Sequence, residues 1–289
     1  MDLTTLFCDI DDFVKAFQEK KDSHFIALTR KKRGVTPRMS LSELLTIIVL
    51  YHSSGFKNFK CFYFYLREQK KSEFPSILSY SRFIDWMPYC LIPLCSYLHS
   101  RRGRHTGISF IDSTPIKVCR NIRIPRHKVF KNMATGGRGS MGWFYGFKLH
   151  IIVSEVGDLL SFKLTKANTD DRVPVKELCR HLSGKLYGDR GYVGKKLFED
   201  LFGMGVHLVT NIRSNMKNKL LPWEDKVLLR KRFIIETIND QLKNISNIEH
   251  TRHRSPVNFM VNMIAGLISY TWQEKKPAIR GVSSALIAR

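Results

Sequence analysis

Acidic residues are scarce in this chain. Against 48 Lys and Arg stand only 25 Asp and Glu, which leaves a formal charge of +23 over 289 residues. Such a surplus points to a polyanionic partner, because each phosphate neutralised releases a condensed counterion. The basic residues recur along the whole chain rather than in one tail, which reads as nucleic acid. Cysteine is also thin. The six cysteines form no CxxC pair and no Cys/His set at zinc-finger spacing. That excludes a zinc module and predicts free cytosolic thiols. No apolar run is long enough for a membrane: the best, NFMVNMIAGLISYTW, is short and carries Asn258 and Asn262, so it reads as a buried helix. The opening MDLTTLFCDIDDFVKAF is acidic and has no basic segment ahead of an apolar core. The expectation is a cytoplasmic chain without a signal peptide. The glycine-rich ATGGRGSMGWF has neither a GKS nor a GKT ending, which excludes a P-loop. There is no internal repeat and no low-complexity tract, and nothing singles out an activated serine or tyrosine nucleophile.

What is present suffices for one large core or two modest ones, since 43% of residues are hydrophobic. The first third reads as helical. SLSELLTIIVLYHSSG opens on a capping box of Ser40 and Glu43 and closes at Gly55. KNFKCFYFYLREQKK and SYSRFIDWMPYC follow, the latter interrupted by Pro88 with Pro93 just beyond. Three short helices fit either a helix-turn-helix module for DNA or a packing and dimerisation domain. The basic SRRGRHTG is a linker. Beyond it strands alternate with helices: GISFIDS, FYGFKLHIIVS and DLLSFKLTKA in hairpin order with a turn at Gly157–Asp158. A helix in DRVPVKELCRHL, a strand in KLYGD, a helix in KKLFEDLFGMG and a strand in VHLVTNI come next. After the basic loop RSNMKNK, one long helix is predicted from about Lys226 to Ile245. This order predicts an α/β, RNase H-like mixed five-stranded sheet flanked by helices. The expected domains are residues 1–105, an all-helical N-terminal domain for DNA binding or dimerisation; 106–271, the RNase H-like domain; and 272–289, a tail.

Asp112 is predicted to close the first strand and Asp189 the fourth. If those strands are neighbours at the sheet's centre, both carboxylates emerge at one edge, where a hard divalent cation relieves their repulsion. A third ligand is expected from RKRFIIETINDQLKNI. At about 100° per residue, Arg232, Glu236, Asn239, Asp240 and Lys243 share a polar face opposite Ile234, Ile238, Leu242 and Ile245. The wheel leaves Glu236 and Asp240 as rivals. Asp170 and Asp171 read as helix-capping residues and His150 as a structural strand histidine. The glycine-rich segment reads as a loop that orders on DNA, with Trp143 available to stack on a base.

The combination resembles the DDE transposases of bacterial insertion sequences, in the group with a Y-x2-R-x3-E-x6-K signature. Arg232, Glu236 and Lys243 match that spacing, while Leu229 stands at the tyrosine position. FIDST and YGDRGY look like the two aspartate motifs and YGFKLH like the strand between them. The resemblance favours Glu236 over Asp240. It implies that Asp112, Asp189 and Glu236 are catalytic and bind two Mg²⁺ or Mn²⁺ ions. It further implies that one site cuts the element's end and joins the 3′-hydroxyl to target DNA. Arg232, Lys243, Arg190, Asn239 and Trp143 are the candidate DNA contacts. The partners implied are double-stranded DNA, both terminal inverted repeats and target, and a second copy in a homodimer or higher oligomer, with no membrane. The implied setting is a bacterial cytoplasm, in association with the nucleoid. A metal-dependent nuclease that cuts without joining, and a non-catalytic DNA-binding derivative, are the other classes.

Overall fold

The computed structural model describes residues 1–24, 38–139, 142–211, 221–250 and 253–279. The RSNMKNK loop, the Ser140–Met141 tip of the glycine-rich segment and the tail from residue 280 lie outside them. In chain order the helices α1 (Leu3–His24), α2 (Leu41–Tyr51), α3 (Phe59–Gln69), α4 (Tyr80–Trp86) and α5 (Leu91–Ser100) come first. Strands β1 (Ile108–Cys119), β2 (Thr135–Gly139), β3 (Gly142–Ser154) and β4 (Leu159–Lys166) follow. Then come α6 (Val175–Leu178), β5 (Gly184–Gly188), α7 (Lys195–Phe202) and β6 (Val206–Thr210). The last are α8 (Trp223–Arg230), α9 (Phe233–Asn244) and α10 (Pro256–Thr271).

Two compact units divide the chain, and they are discontinuous where the sequence suggested contiguous domains. Among the described residues, the first comprises those within 1–101, 242–248 and 254–274; the second comprises those within 102–241, 249–253 and 275–279. Thus α10, expected with the sheet, belongs with the N-terminal helices. Its composition explains the placement. A helix buried all round, from Phe259 to Thr271, needs helical neighbours on several sides rather than one sheet face. It packs on α5 and α2. Gly266 lets the chain at 246–248 lie directly on it, since a Cβ there meets Ile248 Cγ2 at 2.3 Å. The predicted capping box is present at α2, with Ser40 Oγ accepting the Glu43 N–H at 3.1 Å and Glu43 Oε2 accepting the Ser40 N–H at 2.6 Å. Pro88 falls in a 3-10 turn, Met87–Cys90, between α4 and α5.

In the second unit the sheet runs β2-β3-β1-β5-β6, with β4 also on β3. β1 is antiparallel to β3 and parallel to β5, which is parallel to β6. Leaving β2 aside, this is the RNase H-like order that the sequence predicted. The sheet has six strands rather than five. β2 arises from the glycine-rich segment read as a loop, and pairs with β3 from Thr135↔Gly146 to Gly139↔Gly142. Gly137 serves close approach: a Cβ on it would lie 2.4 Å from the Ala167 carbonyl oxygen. The Gly157 turn between β3 and β4 forms as predicted, at φ 79°.

The helices depart from expectation in two places. The DRVPVKELCRHL helix shrinks to the four residues of α6. The single helix expected from Lys226 to Ile245 is two, broken at Lys231–Arg232. Buried Asp225 pins α8 to β5, accepting from Tyr187 Oη at 2.7 Å and Lys185 Nζ at 2.8 Å. On one face of the sheet, Ile111, Ile152, Leu186 and Leu208 pack with Val175 and Leu178 of α6 and Leu201 of α7. Alternation along β1 puts Phe110 and Asp112 on the opposite face, where Phe110 stacks on Tyr187 at 5.4 Å.

Candidate active site

Asp112 does not close its strand as predicted; β1 runs seven residues further, to Cys119. What ends near it is the neighbour. β5 pairs with β1 only through Phe110↔Tyr187, whereas β3 stays alongside past Asp112↔Ile151. Asp112 therefore stands just beyond the point where β1 loses its parallel partner. An edge open on that side also tolerates Pro115 within the strand. The end of β5 delivers Asp189 to the same region: it follows Gly188 directly and its Oδ1 accepts the Arg190 N–H at 2.7 Å.

The third side comes from α9. Arg232, in the break before the helix, donates from Nη2 to Glu236 Oε1 at 2.9 Å, and its Nη1 lies 4.0 Å from Asp112 Oδ1. Asn239, one turn past Glu236 and buried, donates from Nδ2 to Asp112 Oδ2 at 3.1 Å. Burial pushes the Asp112 carboxyl up to about 6, and the charges of Glu236 and Asp189 push the same way. The Arg232 guanidinium and the Ser113 N–H oppose them. Three carboxylates thus act on one field, with one guanidinium between two of them.

The sequence profile of the transposase DDE domain matches residues 102–256, more than half of the 289 residues. The chain belongs to this DDE transposase family. Among solved structures, piggyBac transposase in a synaptic complex with hairpin DNA is similar to it over 93% of this chain and 74% of that one. The identity is 12% and the TM-score 0.51, so this likeness shows the fold. The Mos1 strand transfer complex matches at 12% identity over 88% of this chain and 82% of that one, with a TM-score of 0.25, too low to place any residue. No curated protein matches the chain by sequence.

The family's name refers to two aspartates and a glutamate, and an all-oxygen set of that kind suits hard divalent ions. Among the described residues, no three His, Cys, Asp or Glu side chains already converge as a metal cage. Arg232 instead draws Glu236 to itself. The donor chemistry nonetheless fits a cation. Asp112 is held with its charge under-compensated, and Asn239 Oδ1 beside it is buried without a hydrogen-bond partner.

The other residues singled out in the sequence are dispersed. Arg190 is exposed next to Asp189. Lys243 lies on the last turn of α9, in the portion that belongs to the helical unit. Trp143 is 69% exposed at the start of β3, eight residues before Ile151, the partner of Asp112. At about 3.3 Å per residue that is roughly 26 Å from the carboxylates. His150 is structural: fully buried, with Nε2 2.8 Å from Thr165 Oγ1 and its pKa pushed down to about 4 by burial. Asp170 bonds Arg172 in a local turn rather than capping a helix. Asp171, read as its twin, does something else. It accepts from Ser113 Oγ and Lys148 Nζ, both at 3.0 Å, and so braces the residue next to Asp112. No local pattern signals this, because its partners come from β1 and β3.

We also note that, among the described residues, no helix is long and apolar enough to cross a membrane.

Proposed function

We propose that the chain is the transposase of a bacterial insertion sequence, which cuts the element's ends and joins the freed 3′-hydroxyls to target DNA. The observation that carries this reading is the shared field at Asp112. Carboxylates from β1, from the end of β5 and from the first turn of α9 act on one another, in a chain of the DDE transposase family. Asp112, Asp189 and Glu236 would hold Mg²⁺ or Mn²⁺, two ions per site. When bound, the ions supply charge stabilisation for the attacking and leaving oxygens of an in-line displacement.

The chain's own residues bind and orient. Asn239 fixes the Asp112 carboxylate through its Oδ2. Arg232, a planar two-pronged donor, is placed to exchange Glu236 for a phosphate oxygen near the cut. Arg190 and Lys243 add positive charge along the backbone of the duplex. In the first reaction a water oxygen bonds to the scissile phosphorus and the bond to the 3′ oxygen breaks, leaving a 3′-hydroxyl and a 5′-phosphate. In the second, that 3′ oxygen attacks a target phosphate and displaces another 3′ oxygen. No covalent protein intermediate is needed. The helical unit would recognise the terminal inverted repeats, and a dimer or higher oligomer would pair two ends. A chain acting on DNA in this way works in the cytoplasm, at the nucleoid.

The test uses purified protein, Mg²⁺ and a labelled duplex in which the element's terminal repeat adjoins flanking DNA, run on a denaturing gel beside Asp189→Ala. A nick at the repeat boundary followed by joined product, both lost in the variant, is the expected result. Cutting without joining would make the chain a nuclease. Tight binding with no metal-dependent cut would make it a non-catalytic DNA-binding protein.

A further inference from the structure

From Ser113 to Ser154 the chain has eight basic residues and no acidic one, although an acidic residue occurs on average about every twelve positions. Most of that charge lies far from the carboxylates, in the connection that follows β1. A 3-10 turn, Asn121–Arg126, has Arg120 at its cap and no buried residue. The Arg120 carbonyl accepts the Arg123 N–H at 2.8 Å, and the Ile124 carbonyl accepts the His127 N–H at 3.1 Å. A 3-10 helix has three residues per turn and rises about 2 Å per residue, so side chains three apart eclipse at about 6 Å spacing. Arg120, Arg123 and Arg126 therefore follow one another along one edge of the turn. All three are exposed, and among the described residues no carboxylate pairs with any of them.

The turn is fastened to the sheet at both ends. Asn121 Nδ2 donates to the Trp143 carbonyl at 2.9 Å, and Phe130, fully buried, packs edge-on against Phe147. The row is thus held in place rather than left on a loose arm, which lowers the ordering cost of engaging a regular array of charges.

We propose that Arg120, Arg123 and Arg126 form a phosphate-binding ladder that grips the same duplex as the candidate active site. The inference rests on the transposase reading for the identity of the shared duplex, though not for the ladder's affinity for DNA. Cys119 lies seven residues beyond Asp112 on β1. At about 3.3 Å per residue this is roughly 23 Å, which corresponds to about seven base pairs at 3.4 Å each. The ladder contacts phosphates about six to eight base pairs from the cut.

Two measurements test the proposal. The first is fluorescence anisotropy of a labelled 30-base-pair duplex of arbitrary sequence, titrated against KCl. Changing all three arginines to alanine lowers the slope of log affinity against log salt by about 2.7, from three phosphates at about 0.9 each. Between roughly 50 and 200 mM KCl the wild type then loses about fortyfold more affinity than the variant. The triple lysine variant restores the slope, as a charge ladder requires and a folding defect would not. An unchanged slope in the alanine variant overturns the ladder, whatever the chain's activity.

The second measurement places single neutral methylphosphonate linkages along the duplex that carries the repeat boundary. Linkages six to eight base pairs from the boundary weaken binding by the wild type and not by the alanine variant. If the arginine-dependent linkages lie elsewhere, the shared-duplex placement is wrong. Absence of cutting with the salt slope intact would count against the transposase reading and leave the ladder standing.

Discussion

Asn239 is the residue through which the candidate site is most open to test. Its amide holds Asp112 Oδ2 at 3.1 Å, yet it contributes no charge and no metal-binding carboxylate. Groups that orient a metal ligand typically account for ten- to hundredfold in affinity or activity. Asn239→Ala should raise the Mg²⁺ concentration needed for half-maximal nicking by about ten- to hundredfold. An unchanged Mg²⁺ requirement would remove Asn239 from the site. His150 gives a pH prediction of a different kind. Burial holds its imidazole at about 4, against an ordinary value of 6.5, so the unfolded chain takes up a proton that the folded chain refuses. Its contribution is complete above about pH 6.5 and declines as the pH falls towards 4, by on the order of 3 kcal/mol. His150→Gln should flatten the fall of the unfolding midpoint between those values. Half-buried His250 and His253 act in the same direction, so part of the slope stays. Residue types at strand ends were enough to nominate Asp112 and Asp189, whereas the helical wheel left Glu236 and Asp240 as rivals and only the family resemblance favoured Glu236. Asp171 escaped because its partners Ser113 and Lys148 are distant in sequence, and a local reading assigns any aspartate before a helix to capping.

At the scale of elements, hydrophobic patterning located the strands well and their ends poorly. β1 looked finished at Asp112 because Ser113, Thr114 and Pro115 interrupt the apolar run, but pairing with β3 carries it on to Cys119. β2 was hidden by its own glycines, and the role of Gly137 appears only when the neighbouring backbone at Ala167 is in place. A paired substitution separates the two reasons for a glycine in a sheet. Gly146 in β3 pairs with both Lys117 of β1 and Thr135 of β2, and a Cβ there would sit 2.0 Å from the Ile116 carbonyl oxygen. Gly136 in β2 has nothing within 4 Å of the same position. Gly146→Ala should cost on the order of 3 kcal/mol in urea unfolding, because backbone and not a flexible side chain must yield. Gly136→Ala should stay within about 0.5 kcal/mol of the wild type. Equal effects at the two positions would mean that the β1 backbone does not crowd β3 at Gly146 as described. The break between α8 and α9 was equally invisible, since a helical pattern continues through Lys231 and Arg232. Only the anchoring of Asp225 on β5 and of Arg232 towards Asp112 shows why the chain turns there.

For the whole molecule, the sequence suggested a cut between residues 105 and 106, with everything to 271 on the catalytic side. The packing places α10 elsewhere. Phe259, Val261, Met263, Ile264, Leu267, Ile268 and Tyr270 are each at most 2% exposed, and the helix lies against α5 and α2. Burying a large apolar side chain stabilises by about 1.5–3 kcal/mol, so seven of them amount to an upper bound of roughly 10–20 kcal/mol. No reading of periodicity could assign that burial, because a helix apolar on every side does not say which neighbours cover it. The consequence is specific. A fragment of residues 102–289 keeps the strands of the sheet but removes α1–α5, and it leaves the faces of α10 without the helices that cover them. It should bind a hydrophobic dye and elute as aggregate on size exclusion. A fragment of residues 102–253, which omits α10 as well, should bind less dye per molecule and aggregate less. A monodisperse, dye-silent 102–289 would mean that α10 finds cover within the sheet unit, and the boundary read from the sequence would then be the physical one.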